Sequence, residues 1–402
     1  MSEWREITLG ECFDLSKAKI APNDVHAGVP YVGMEHLDPG SPRVARWGSP
    51  ADVTSLVSQF ESGDVLFGRL RPYLRKVALA DQHGVCSPEI LVLRPTEATV
   101  PGFTYLLASS DGCIEHAVAQ SAGSRMPRAS ATDLAAHPIS VPPLDEQRRI
   151  VDVVAAVDAQ IEALKSDFES ALELVAAARR LLASSDEVDL LSSLADDTGI
   201  QIGPFGSQLH AREYSDEGTP VVMPQDIVNG EIVTAKIKRV DSAITDRLTK
   251  HRLTSGDIVF PRRGDLTKRA LVQAHQEGWL CGTGCLRFRP ADSTQAARLF
   301  EALSGDAISE WLVENAVGTT MLNLNTTILS KIPVPSLSAF ADLADANIAL
   351  GGQNKKAARE LARLRAFRST LLTALLSQSI SIPESYDSLL DADPSVLEGA
   401  PA

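Results

Sequence analysis

The chain is written twice, and that repeat constrains its fold more than any other feature. Gly28-Val-Pro-Tyr-Val returns as Gly218-Thr-Pro-Val-Val, and Gly63-Asp-Val-Leu-Phe-Gly-Arg returns as Gly256-Asp-Ile-Val-Phe-Pro-Arg. Leu93-Arg-Pro matches Phe288-Arg-Pro, Gly123-Ser-Arg-Met matches Gly318-Thr-Thr-Met, and Val141-Pro-Pro-Leu matches Val334-Pro-Ser-Leu. The offset stays between 190 and 195 residues through all five blocks. A period this long is no solenoid of small units, so each copy must be a whole domain with its own core. Two copies with diverged interiors suggest one task performed on two different targets.

Each copy ends in a long helical pattern. From Ile150 the apolar or small residues fall at Val154, Val157, Ile161, Leu164, Phe168, Ala171, Val175, Ala178 and Leu182. Steps of four and three over more than four heptads, without Gly or Pro, predict a coiled-coil seam. A helix from about Asp145, as N-cap, to Ser184 would be roughly 60 Å long. The second copy carries Leu343, Leu350, Ala357, Leu361, Leu364, Leu371 and Leu375 on one face, with Asn347, Asn354 and Arg368 also on the seam. Gly351-Gly352 weakens that helix by about 1 kcal/mol per glycine. Two exposed seams in one chain are costly unless they cover one another. The expected fold is therefore mixed α/β (α+β): two homologous globular domains, separated by two long helices that form an antiparallel coiled coil, in a pseudo-twofold repeat. The expected boundaries are a first domain at 1–143, a helix at 144–190, a second domain at 191–336, a helix at 337–379 and an acidic, disordered tail at 380–402.

The 402 residues suffice for two or three cores. No run approaches the ~18 apolar residues of a membrane span, and Met1-Ser-Glu-Trp-Arg lacks a signal-peptide pattern. Five scattered cysteines fit free thiols in a reducing cytoplasm. Cys281 and Cys285 with His275 offer three metal ligands but no convincing fourth, so no metal is expected. There is no phosphate-binding loop, no dinucleotide fingerprint and no metal-binding helix. No catalytic residue or cofactor is expected, and a binding device fits better than an enzyme.

The net charge of −14 opposes binding to phosphates, but the positive charge gathers at matching places in the two copies. One run holds Arg69, Arg71, Tyr73, Arg75 and Lys76; the other holds Arg262, Arg263, Lys268 and Arg269. Arg and Lys reach guanine edges and phosphates, and Tyr73 can bond or stack. Arg71 and Arg263 are the expected base contacts; a solvated charged turn is the plain alternative. Ser121-Ala-Gly-Ser-Arg-Met-Pro-Arg, with Arg125 and Arg128, and Val317-Gly-Thr-Thr-Met-Leu-Asn, with Thr319, Thr320 and Asn323, offer amides and hydroxyls to phosphate. Gly203-Pro-Phe-Gly-Ser-Gln reads equally as a third such loop or as a tight turn.

These residues resemble the specificity subunits of type I restriction–modification systems. Pro142-Pro-Leu-Asp-Glu-Gln-Arg-Arg-Ile-Val is similar to the opener of the family's central helix. Gly203-Pro-Phe-Gly-Ser, Ser62-Gly-Asp-Val-Leu-Phe, Ser255-Gly-Asp-Ile-Val-Phe and Leu329-Ser-Lys-Ile-Pro-Val-Pro match as well. Leu337-Ser-Ala-Phe departs from the family's second helix opener. The resemblance implies two target-recognition domains, each reading half of a bipartite, asymmetric site in double-stranded DNA. It implies a coiled coil that spaces the halves and carries two methyltransferase subunits, joined by a motor-nuclease subunit. The seam residues Ile150, Val154, Val157, Ile161, Leu164, Phe168, Leu361, Leu364, Leu371 and Leu375 would serve that role. The chain itself would do no chemistry; the assembly would be an adenine methyltransferase and an ATP-dependent endonuclease. A DNA-reading scaffold of another phage-defence system is the alternative, an enzyme with an unseen motif and a protein-only coiled-coil adaptor the further ones.

Overall fold

The computed structural model describes residues 4–121, 126–184, 187–318, 322–338 and 341–387. The chain divides into two compact units, one built from residues up to Lys165 together with those from Arg359 onward, the other from Ser166–Ala358. Both long helices are cut by this division, so each unit holds a segment of each.

In the first unit the strands are β1 Arg5–Thr8, β2 Phe13–Leu15, β3 Lys19–Ile20, β4 Tyr31–Val32, β5 Val57–Phe60, β6 Val65–Gly68, β7 Val77–Leu79, β8 Gly84–Cys86, β9 Ile90–Pro95 and β10 Pro138–Val141. The helices are α1 Pro101–Ser109, α2 Asp111–Gln120, α3 Ala131–Ala135 and the start of α4 Leu144–Ala183. One sheet has the order β2-β9-β6-β7, a second β3-β5-β8-β4, and β1 pairs with β10. β6 is buried along its whole length, as its unbroken Val-Leu-Phe run requires.

The second unit contains β11 Val188–Leu190, β12 Ala195–Ile202, β13 Tyr214–Ser215, β14 Thr219–Val222, β15 Ile227–Val228, β16 Glu231–Ile232, β17 Lys238–Val240, β18 Ile258–Pro261, β19 Ala270–Leu271, β20 Leu280–Cys281, β21 Cys285–Pro290 and β22 Pro333–Pro335. Its helices are α5 Ser242–Arg247, α6 Ala296–Leu303, α7 Asp306–Asn315, α8 Thr326–Ser330 and the start of α9 Ala341–Leu376. The order β12-β21-β18-β19 reproduces β2-β9-β6-β7 strand for strand, and β11 pairs with β22 as β1 does with β10. The other sheets, β13-β17-β14-β20 and β3-β5-β8-β4, share only a parallel pair, β14–β20 and β4–β8.

Two repeated blocks explain the shared sheet. Asp64 is 2% exposed, and its oxygens accept Arg94 Nε at 3.0 Å and Arg94 Nη2 at 2.7 Å, plus the Glu61 amide at 2.8 Å. Asp257, 1% exposed, accepts Arg289 Nε at 2.7 Å, Arg289 Nη2 at 2.8 Å and the Thr254 amide at 2.8 Å. The Gly-Asp block and the Arg-Pro block are thus the halves of one bidentate clamp, present in both units. Gly63 and Gly256 precede the aspartates at φ 89° and 91°, where a side chain is strained.

α4 starts at Leu144, directly after Pro142-Pro143, so Asp145 lies in the first turn rather than at the cap. An acid there suits the positive helix end. Gln147, 1% exposed, fixes this end: its amide nitrogen donates to the carbonyls of Ala98 and Pro142, and its oxygen accepts the Val100 amide. Within the first unit, Ile150 and Val154 of α4 share one core with Leu372 and Leu375 of α9. Arg368 of α9 forms a bidentate pair with Asp158 of α4, so the two segments run antiparallel there. Ile161 and Leu361 are also buried, while Val157, Leu164, Leu364 and Leu371 are half-buried. Within the second unit Glu301 of α6 joins the two helices, accepting Arg179 of α4 at 2.6 Å and Asn347 of α9. Asn354 is buried on the same helix, and Phe168 is half-buried. α9 passes through Gly351-Gly352 without a break.

Candidate nucleic-acid interface

The loop after β6 carries the first basic run. Its main chain is pinned on both sides: Arg69 N donates to Glu89 O at 2.9 Å, and Arg69 O accepts the Ala129 amide at 2.8 Å. Arg71 N then donates to Pro127 O at 2.8 Å. The basic run and the segment containing Arg128 therefore form a single platform, joined by a bridge between Leu70 and Arg128. Arg71 and Arg75 hold φ of 53° and 54°, left-handed values that are strained for side-chain-bearing residues.

The second unit builds the same platform after β18. Arg262 N donates to Gly284 O at 2.6 Å, and Arg262 O accepts the Leu324 amide at 2.9 Å. Arg263 bridges Asn323, and its Nε donates to Asn323 Oδ1 at 3.0 Å. Arg262 lies over the Phe205 ring at 5.7 Å, which brings the Gly203-Pro-Phe loop to the same surface. By these hydrogen bonds Arg69 corresponds to Arg262, and Leu70 to Arg263.

The side chains of the two runs have different fates. Arg71 and Tyr73 are exposed, Tyr73 by 53%. Arg75 pairs with Asp111, whose other oxygen accepts Ser369 Oγ at 2.8 Å, so this cation faces the helices. Lys76 donates to the Met34 carbonyl at 2.6 Å. Arg128 pairs with Glu89 at 3.0 Å, and Lys268 with Asp265 at 3.8 Å. Arg269 needs a correction: at 5% exposed it donates to Ser309 Oγ and Thr267 O, both at 2.6 Å. Burial, with the nearby charge of Arg179, lowers its pKa to about 10. A cation enclosed in this way is out of reach of a duplex. Arg125, Thr319 and Thr320 lie outside the described residues.

Sequence reasoning named the Gly203-Pro-Phe loop without giving Phe205 a role, and it missed Glu89 and Asp111, which have no distinctive spacing. It also missed the clamp role of Asp64–Arg94 and Asp257–Arg289. The signal for the clamp was present, because an acidic and a basic block both recur in the two copies. The cysteines are buried, and burial pushes the thiols of Cys12, Cys86, Cys113 and Cys281 up to about 12. Among the described residues no group of three His, Cys, Asp or Glu side chains could hold a metal ion. No described helix is long and apolar enough to cross a membrane.

Residues 1–173 match the family model of the type I restriction modification DNA specificity domain. Over 183 residues the chain is 25% identical to the type I restriction enzyme EcoDI specificity subunit of Escherichia coli, covering 43% of this chain and 39% of that subunit. The match thus spans about two-fifths of that relative's length. Among solved structures, the fold is similar to the type I restriction-modification system S subunit from M. genitalium, with a TM-score of 0.59 at 17% identity over 93% of this chain and 96% of that one. A chain from a solved type I R-M system gives a TM-score of 0.55 at 21% identity, over 93% of this chain and 97% of that one. Residues 1–173 thus match the DNA specificity domain of type I restriction–modification systems, and the fold of the chain is similar to that of solved type I S subunits.

Proposed function

We propose that this chain reads DNA for a type I restriction–modification complex. Each unit recognises one half of a bipartite, asymmetric target, and the long helices set the gap between halves. The chain performs no chemistry; two methyltransferase subunits dock on the helices, and a motor-nuclease subunit completes the assembly as an adenine methyltransferase and ATP-dependent endonuclease. The observation that carries this reading is the platform built twice with the same main-chain hydrogen bonds, while its exposed side chains differ. Pinned main chain gives each loop a fixed aim, and different side chains on the same frame suit different bases. Leu172, Leu174 and Leu181, exposed on α4, support protein docking along that helix.

The test is methylation of a duplex library, randomised across both half-sites, by the chain assembled with its methyltransferase. Wild-type protein should select a split motif. Arg71→Ala should relax one half only, by about 1–3 kcal/mol at the base it reads. A wild-type complex without sequence preference would overturn the reading.

A further inference from the structure

We propose that Arg69 and Arg262 are matched phosphate anchors, each gripping a DNA phosphodiester at an equivalent point of its half-site, and that base reading is left to residues that differ between the units. The inference rests on the DNA-reading function above and assigns the chemistry of one contact within it.

Three observations carry it. The first is position: the two arginines have their amides and carbonyls engaged in matching ways, to Glu89 and Ala129 in one unit and to Gly284 and Leu324 in the other. The second is burial. Both residues are half-buried, and each encloses its Nε without a hydrogen-bond partner. Part of each side chain is thereby enclosed while the residue as a whole stays partly accessible. The third is charge. Among the described residues neither side chain has an ion pair, although Arg75, Arg128 and Lys268 in the same platforms all have one.

A half-enclosed cation with no counter-ion is costly, and a donor without an acceptor is rare. Here both occur twice, at the same point of the same frame, in units whose other reading residues diverge. The sugar-phosphate backbone is the part of DNA that does not change between half-sites. A contact repeated in both units is therefore suited to the backbone, and it positions each loop in register for its neighbours. Phe205 beneath Arg262 adds a stacking support in one unit only. Arg71 and Arg263 occupy different places in the frame and are left to carry base preference.

The experiment measures binding of the full chain, in the complex in which it is purified, to two probes across a salt series. One probe is a random-sequence duplex pool, and the other is the duplex that wild-type protein enriches most from that pool. Arg69→Ala and Arg262→Ala should each weaken binding to both probes by the same factor. Each should lower the slope of log affinity against log salt by about 0.9, the value of one lost phosphate contact. The selected motif should stay unchanged, and Arg69→Lys and Arg262→Lys should restore the slope. Unchanged affinity in a folded variant, or a motif altered in one half, overturns the anchor role alone. Equal loss in the Lys and Ala variants would assign the arginine a structural role and also overturn it. Wild-type protein that binds neither probe would instead overturn the DNA-reading function.

Discussion

Arginines of one type in one sequence are set to at least three uses here, and the main chain around each decides which. Arg94 and Arg289 close the clamps on Asp64 and Asp257. Arg269 turns inward to Ser309, and Arg71 stands in solvent. Composition located the basic runs but gave no means of sorting them, because sorting needs the hydrogen bonds of the loop. The repeat pairs Arg69 with Arg262, and the bonding frame agrees, whereas Arg71 and Arg263, the expected base contacts, stand at different places in it. The clamp allows a direct comparison between units. Arg289 is 23% exposed and Arg94 is 47% exposed, so Arg94 is freer to turn toward water when its partner is lost. Asp257→Ala should cost about 3 kcal/mol, the lower range for stranding a buried charge, and Asp64→Ala less. Urea denaturation of the two variants checks this, and an equal or larger loss at Asp64 contradicts it.

At the level of single elements the sequence was most legible where it was most periodic. The a/d spacing of α4 predicted Ile150, Val154 and Ile161 as inward positions, and all three are buried. Periodicity does not reveal what replaces apolar contact where the seam turns polar. Arg368 fell on the predicted seam, and the structure gives it Asp158 as partner, with Tyr105 alongside at 3.4 Å. Both charged side chains are almost enclosed, at 12% and 11% exposed. Removing one partner strands the other, so Asp158→Ala should cost about 3–5 kcal/mol, whereas Asp158→Leu with Arg368→Met should lie near wild type. A double variant no more stable than Asp158→Ala, measured by thermal unfolding, would show that the pair contributes more than mutual neutralisation. Gln147 teaches a related lesson. It sits in the motif that carried the family resemblance, yet its three hydrogen bonds lock the start of α4 to the segment before α1.

For the molecule as a whole, the repeat predicted two copies of one domain, and the strand order of the central sheet is the same in both units. What the repeat did not reveal is that each compact unit takes a piece of both helices. The first unit is therefore discontinuous in sequence: its core includes Leu372 and Leu375, more than two hundred residues beyond Val154. Each buried leucine contributes about 2 kcal/mol or more, against a total stability of about 5–15 kcal/mol for a domain. A chain ending after Ser338 should therefore lose the cooperative melting of the first unit, as followed by hydrogen exchange of β6 and β9. Retained protection in those strands would show that the unit closes without α9. The same discontinuity bears on how the protein emerges from the ribosome. The unit whose residues are translated first lacks part of its core until α9 has been made, whereas the second unit is one continuous stretch, complete at Ala358. Nascent chains should thus finish the later unit before the earlier one, and the first unit would need shelter through most of translation.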